Sequence, residues 1–309
     1  MTRIKALGIW ALVLAAVSIS SLPVAAEHRD VRIVASFSIL GDMVKQVVGD
    51  LATVSTIVGP DADAHVYQPS VADARDVVAA DVLFVNGLGF ETWAGSLISQ
   101  SGTEAVVQVV TTGITPIEVD GSVDPHAWNS LANGTIYVQN IASTMAKAIP
   151  EHRDTITANA NAYIAELETL HARTRKRVAA LTPDRRTVVT AHDAFGYLAD
   201  AYGLTFLAPQ GIDTESEPSA QELATLIDQL KTEVPAALFV ENIASPELVQ
   251  QISNETGLTI GGQLFSDALS ELGGPATSYL SMFRHNLGTL LDALEQPTCA
   301  NPNTRNDPC

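Results

Sequence analysis

The chain has 309 residues, 46% of them hydrophobic, with 17 Lys and Arg against 35 Asp and Glu and a formal net charge of −18. That sign of charge repels phosphate and anionic lipid, which argues against nucleic acid as a partner; it concentrates cations mildly, or serves only as a solvated exterior. The length suffices for two domains with cores of their own, and the two cysteines, with no His or Cys near them in sequence, argue against a thiolate metal site.

In chain order, residues 1–26 read as a signal peptide. Arg3 and Lys5 form a basic start, residues 6–21 are almost wholly apolar, and Val24-Ala25-Ala26 offers small residues for cleavage before Glu27. The apolar stretch is short for a membrane span and is followed by Pro23, which argues against an uncleaved anchor. No cysteine stands at the cleavage point to carry a lipid. The expected location is therefore outside the cytoplasm.

Residues 27–150 alternate β-rich and helical runs, with VRIVAS, LATVSTIVG, DVLFVNG and AVVQVV as strands and SILGDMVKQVVG as a helix. This is the rhythm of an α/β lobe. Residues 151–181 lack Gly and Pro, and Ile156, Ala160, Tyr163, Ile164, Leu167, Leu170, Val178 and Leu181 recur at helical spacing, which predicts one long linking helix. Residues 182–296 form a second α/β lobe, with RTVVTA, LTFLA, AALFVEN and LTIGGQLF as strands and TSYLSMFRHNLGTLLDAL as a closing amphipathic helix. DVLFVNGLGFE in the first half faintly echoes AALFVENIASPE in the second. In the tail, 297–309, Cys299 and Cys309 could pair in an oxidising compartment, which in the chain-entropy model would stabilise by about 2 to 3 kcal/mol.

Three histidines and one aspartate, His65, His126, His192 and Asp267, each stand just beyond an apolar, strand-like run. Imidazole nitrogens with one carboxylate make a donor set that suits Zn(II). Separations of 61, 66 and 75 residues exclude a local finger, so a shared ion requires strand ends from both halves to converge, as open α/β sheets allow. Around His126, Asp124 can cap and Pro125 fits a first helical position, which places the imidazole at a helix start. His192 opens DAFGYLADAYG, whose Phe195, Leu198, Ala199 and Tyr202 make an apolar face, and Asp267 supplies the one anionic donor. Glu241 ends a strand and could be a fifth ligand, an acceptor for an imidazole N–H, or a structural carboxylate; the last two are favoured. His28, His152, His171 and His285 read as surface or packing residues, and Asp61 and Asp63 as a polar turn that could collect cations loosely.

The motifs His65-Val-Tyr67-Gln-Pro69, Asp124-Pro125-His126-Ala-Trp128, His192-Asp-Ala-Phe195-Gly-Tyr197, Glu241 in FVEN, and Ser266-Asp267 together resemble the zinc and manganese solute-binding proteins of ABC importers, the TroA-like family. The resemblance spans about residues 31–294. It implies two α/β lobes bridged by one rigid helix, an ion held in the cleft by His65, His126, His192 and Asp267, and a monomer that serves an inner-membrane permease. A periplasmic metallochaperone is a further candidate partner. His192, rather than Glu, at the third position is similar to the zinc-preferring branch, although some members with that His carry manganese. The segment GITPIEVDGSVDPHAW lacks the His-rich loop of many zinc members. The competing class is an exported zinc hydrolase, with water as fourth ligand and Glu241 or Asp193 as base, but no His-Glu-x-x-His motif occurs. A surface protein stiffened by metal is a third reading.

Overall fold

The computed structural model describes residues 30–295 except Asp120 and Val234, so the expected signal peptide, His28, Cys299 and Cys309 lie outside the described residues. Strand β1 (Arg32–Phe37) is buried from its second residue onward, as a central parallel strand covered on both faces must be. It pairs in parallel with β2 (Thr53–Val58) on one side and β3 (Val82–Val85) on the other, and β3 pairs with β4 (Val106–Val109). Helices α1 (Ser38–Val48), α2 (Val71–Ala79) and α3 (Ala94–Ser101) connect them. A capping box starts α2: the Ser70 hydroxyl accepts from the backbone N–H of Asp73 while the Asp73 carboxylate accepts from that of Ser70.

A short antiparallel hairpin of β5 (Glu118–Val119) and β6 (Ser122–Val123), which the sequence pattern does not signal, leads into α4 (Leu131–Ala148). The long helix α5 (Arg153–Ala179) follows a 3-10 turn at Pro150–His152 and is about 40 Å long at 1.5 Å per residue. Its buried residues Ile156, Ala160, Tyr163, Leu167, Thr174 and Val178 form one stripe, packed chiefly on α4 and α1 and touching the second half through α6 and α9.

The second sheet holds β7 (Thr187–Val189), β8 (Thr205–Leu207), β9 (Leu238–Glu241) and β10 (Ile260–Leu264), all parallel, in the order β10-β9-β7-β8. Helices α6 (Gly196–Tyr202), α7 (Ala220–Glu233), α8 (Glu247–Thr256) and α9 (Tyr279–Glu295) complete it. In each sheet the first strand in chain order lies between the second and third, and the fourth lies beyond the third. The faint sequence echo falls on β3 and β9, the third strand of each sheet.

One apolar cluster runs without a break from Ile33 and Phe84 in the first half to Phe195, Phe239, Phe265 and Tyr279 in the second. A smaller one, with Val189, Ile227, Leu238 and Ile252, lies on the α7 and α8 side of the second sheet. The halves therefore meet through shared core, which resists large relative motion. Tyr279 fixes this seam: its backbone N–H donates to Asp42 Oδ2 on α1 (2.8 Å), and its buried Oη donates to Trp128 O (2.6 Å).

Gly134 on α4 admits Tyr279, since a Cβ at 134 would lie 2.6 Å from its Oη, whereas a Cβ at Gly288 on α9 would meet nothing within 4 Å. Gly134→Ala is expected to destabilise the protein by about 1–3 kcal/mol. Gly288→Ala is expected to stabilise it by roughly 0.5–1 kcal/mol through helix propensity. Denaturant unfolding of both variants checks the pair.

Candidate metal centre

Each of the four singled-out residues sits beyond the carboxyl end of a strand or hairpin, and each is fixed by its own loop. His65 lies between β2 and α2, where its backbone N–H donates to Asp63 Oδ1 (2.8 Å). Its ring meets Phe90 edge to face at 4.9 Å, and Trp93 Nε1 donates to the adjacent Ala64 O (2.9 Å). Phe90 also packs on Trp128 at 4.6 Å and on Phe37 at 5.0 Å, forming an apolar wall behind the imidazoles.

His126 does not start a helix as the sequence suggested. It precedes a 3-10 turn, Ala127–Asn129, and α4 begins only at Leu131, capped by the Ser130 hydroxyl, which accepts from Asn133 N. Asp124 is engaged by the histidine instead of by a helix end. Its Oδ1 accepts from the His126 backbone N–H (2.9 Å) and stands 2.7 Å from His126 Nδ1. Gly196 gives it room, because a Cβ there would lie 2.6 Å from Asp124 Oδ2.

His192 follows β7 by three residues. The carboxylate of Glu241, at the end of neighbouring β9, holds it from behind: Oε1 accepts from the backbone N–H groups of Ala191 (2.8 Å) and His192 (2.9 Å), and Oε2 lies 2.7 Å from His192 Nδ1. Asp267 follows β10 by three residues. The preceding Ser266 O accepts from Trp128 Nε1 of the first half (2.7 Å), and Asn129 Nδ2 donates to Ala194 O beside His192 (2.9 Å).

These four loops bring one donor atom from each residue within 4.8 Å of one another. His65 Nε2 is 3.2 Å from His126 Nε2 and 3.2 Å from Asp267 Oδ2, which is also 3.2 Å from His192 Nε2; His126 Nε2 is 3.7 Å from Asp267 Oδ1. The first half supplies His65 and His126 and the second His192 and Asp267. His65 is 5% exposed and the other three are fully buried, so water does not solvate them freely.

The Nδ1 contacts with Asp124 and Glu241 orient the rings of His126 and His192 so that Nε2 points into the cluster, where it offers a lone pair once it carries no proton. Both Asp267 oxygens, both ring nitrogens of His192 and Glu241 Oε2 are buried without a well-aligned hydrogen bond. Acceptors facing acceptors at this depth repel unless a proton or a metal cation lies among them. The charges around the site act in the same sense. Burial opposes charge on His192, but Glu241 and Asp267 outweigh it and raise the imidazole well above its ordinary pKa. Burial likewise disfavours the Asp267 carboxylate, yet His126 and His192 hold its pKa well below the usual range. Glu241 is lowered too, with His192 overcoming its burial.

The remaining histidines of the described region stay outside this cluster. His152 ends the 3-10 turn before α5, His171 Nδ1 is 3.1 Å from Tyr202 Oη, and His285 Nε2 is 3.0 Å from Gln263 O. The residue that sequence reasoning missed is Asp124 as a partner of the imidazole. Its position two residues before His126 was the available signal, but it reads equally as a helix cap.

Residues 33–293 match the family model described as zinc-uptake complex component A, periplasmic. The chain is 31% identical over 271 residues to the manganese-binding lipoprotein MntA of Halalkalibacterium halodurans, covering 87% of this chain and 90% of that protein. It is 32% identical over 270 residues to the iron-binding protein YfeA of Yersinia pestis, covering 86% of each. Among solved structures, the periplasmic zinc-binding protein TroA from Treponema pallidum aligns with a TM-score of 0.82 at 29% identity, over 86% of this chain and 99% of that one. The Mn-bound periplasmic metal-binding protein from Candidatus Liberibacter asiaticus aligns with a TM-score of 0.79 at 30% identity, over 86% of this chain and 100% of that one. Among the described residues no helix is long and apolar enough to cross a membrane. With a family model matched across nearly the whole described region and relatives above 30% identity over most of their length, the chain belongs to the ZnuA/TroA family of periplasmic metal-binding proteins.

Proposed function

We propose that the protein captures one Zn(II) ion with His65, His126, His192 and Asp267 and delivers it to the membrane permease of an ABC importer. The observation that carries this reading is the meeting of four buried potential ligand atoms, two of them on imidazoles whose Nδ1 faces a carboxylate at 2.7 Å. Three imidazoles with a single carboxylate form a soft, weakly anionic set that favours Zn(II). Four protein ligands leave no open position for an activated water, so the site is read as one for capture and release and not for hydrolysis.

A second reading, manganese or iron as cargo, is favoured by one observation. Both oxygens of Asp267 face the cluster, Oδ2 at 3.2 Å from Nε2 of His65 and of His192 and Oδ1 at 3.7 Å from His126 Nε2, so the carboxylate could bind through both and raise the coordination number, which suits Mn(II). The names of MntA and YfeA point the same way.

Within this proposal residues 1–26 are removed on export to the periplasm, and residues 27–150 and 182–296 act as lobes joined by 151–181. Cys299 and Cys309 pair in the tail, and the mature protein works as a monomer. A metallochaperone is a candidate source of the ion.

Chelator-stripped mature protein is expected to take up one tight equivalent of zinc that manganese does not displace, with His192→Ala abolishing tight binding. Competition titration checks this; a manganese preference would select the second reading, and no tight site for either ion would overturn both. Glu241→Gln is expected to weaken zinc binding about 10–100-fold, because it releases the His192 ring from its orienting carboxylate.

The pH dependence has a definite sign. The stabilisation from the raised His192 pKa is full at low pH and is lost as pH rises through that raised value. The contributions of Asp267 and Glu241, whose values are lowered, are present above the ordinary carboxylate range and lost on acidification. Zinc must displace the His192 proton, so its stabilising effect should grow with pH. Melting curves in chelator and in excess zinc are expected to diverge progressively between about pH 5 and about pH 8. A gap independent of pH would contradict displacement of that proton.

A further inference from the structure

The loop that carries His65 directs two carboxylates away from the donor cluster and onto the opposite half of the molecule. Asp61 has a positive φ of 50°, a left-handed conformation that Asp tolerates better than most residues but that still carries a cost. In that conformation its backbone N–H donates to Leu269 O (2.8 Å), Oδ1 accepts from Asn242 Nδ2 (2.9 Å), and Oδ2 accepts from the Glu271 backbone N–H (3.1 Å). Leu269 and Glu271 follow Asp267 by two and four residues. Asn242 follows Glu241 directly and also donates to Ala268 O (3.3 Å). Asp63 repeats the arrangement: Oδ1 accepts from the His65 backbone N–H (2.8 Å) while Oδ2 accepts from Thr214 Oγ1 of the second half (2.5 Å).

We infer that Asp61 and Asp63 form a clasp across the cleft that positions the His65 loop against the Asp267 loop and sets the rate at which a bound ion leaves. The inference rests on reading the four-residue cluster as the ion site. His65 cannot draw back from Asp267 with its loop intact unless these cross-cleft bonds break. The bonds lie near the surface, where water competes, so each is weak; acting together they oppose opening more than any one of them does. Because they form only when the two loops are together, they retard departure while leaving the approach of an ion to the open cleft largely unaffected. Asp61 and Asp63 are thus positioning residues, not ligands.

Glycine adopts φ 50° without strain, so Asp61→Gly removes both side-chain bonds and keeps the backbone path. Asp61→Asn retains tolerance of that φ and one acceptor oxygen. Thr214→Ala breaks the Asp63 bond from the far side without touching the His65 loop. Zinc release from the loaded mature protein into excess chelator, followed by stopped flow, is expected to be about 10-fold faster in Asp61→Gly, intermediate in Asp61→Asn and about threefold faster in Thr214→Ala. Capture rates should stay near wild type. Release rates within about twofold of wild type in both Asp61→Gly and Thr214→Ala would overturn the role in release. In chelator-treated protein the Glu271 amide should be protected from hydrogen exchange and lose that protection in Asp61→Gly, a readout that needs no ion. A wild type that binds no zinc, with the Glu271 protection still dependent on Asp61, would sink the zinc-receptor reading and the release role while leaving the clasp; unchanged Glu271 exchange would sink the clasp itself.

Discussion

The constraint on which the rest depends is the burial of four facing polar groups, Nε2 of three imidazoles and the carboxylate of Asp267, where water cannot solvate them freely. Such a group of atoms is held together only by rigid surroundings, because left to itself it would disperse. Each group is therefore anchored from behind. Asp124 holds His126, Glu241 holds His192, Phe90 lies edge-on to His65, and the Ser266 carbonyl beside Asp267 is tied to Trp128. The carboxylates also set the ring tautomers, so one interaction fixes both the orientation and the chemistry of the inward-facing nitrogen.

The architecture follows from the need to hold these loops still while drawing them from distant parts of the chain. Parallel sheets present their loops at one edge, and two sheets of the same strand order meet with those edges facing. What keeps the edges in register is the apolar core shared between the halves, together with α5 along the back and the Tyr279 seam between α1, α4 and α9. A hinge of two independent domains would leave the site geometry to a flexible linker. A continuous core opposes such movement of the halves, and the bonds of Asp61 and Asp63 act on the loops that meet at the site.

Much of this was legible in the sequence. The eight main strands, the long helix and the four converging residues follow from apolar runs bounded by turn residues, from an uninterrupted helical stripe between Ile156 and Val178, and from His or Asp placed just past each strand. Three features were not legible. The hairpin of Glu118–Val119 with Ser122–Val123 is too short to show a period. The sequence around His126 satisfies helix-start preferences, yet Asp124 turns its carboxylate to the imidazole, because that pairing offsets the burial of both groups. Asp61 and Asp63 look like an ordinary polar turn, since the side-chain partners they reach in the second half lie between 151 and 210 residues away.

The sequence by itself determined the alternation of elements, the set of buried faces and the chemical type of the site, because periodicity and side-chain chemistry are local properties. The tertiary structure alone decided which carboxylates orient imidazoles and which bind across the cleft. Asp61, Asp63, Asp124, Glu241 and Asp267 carry the same functional group, and what each one does is set only by the groups that the folded chain places within its hydrogen-bonding reach.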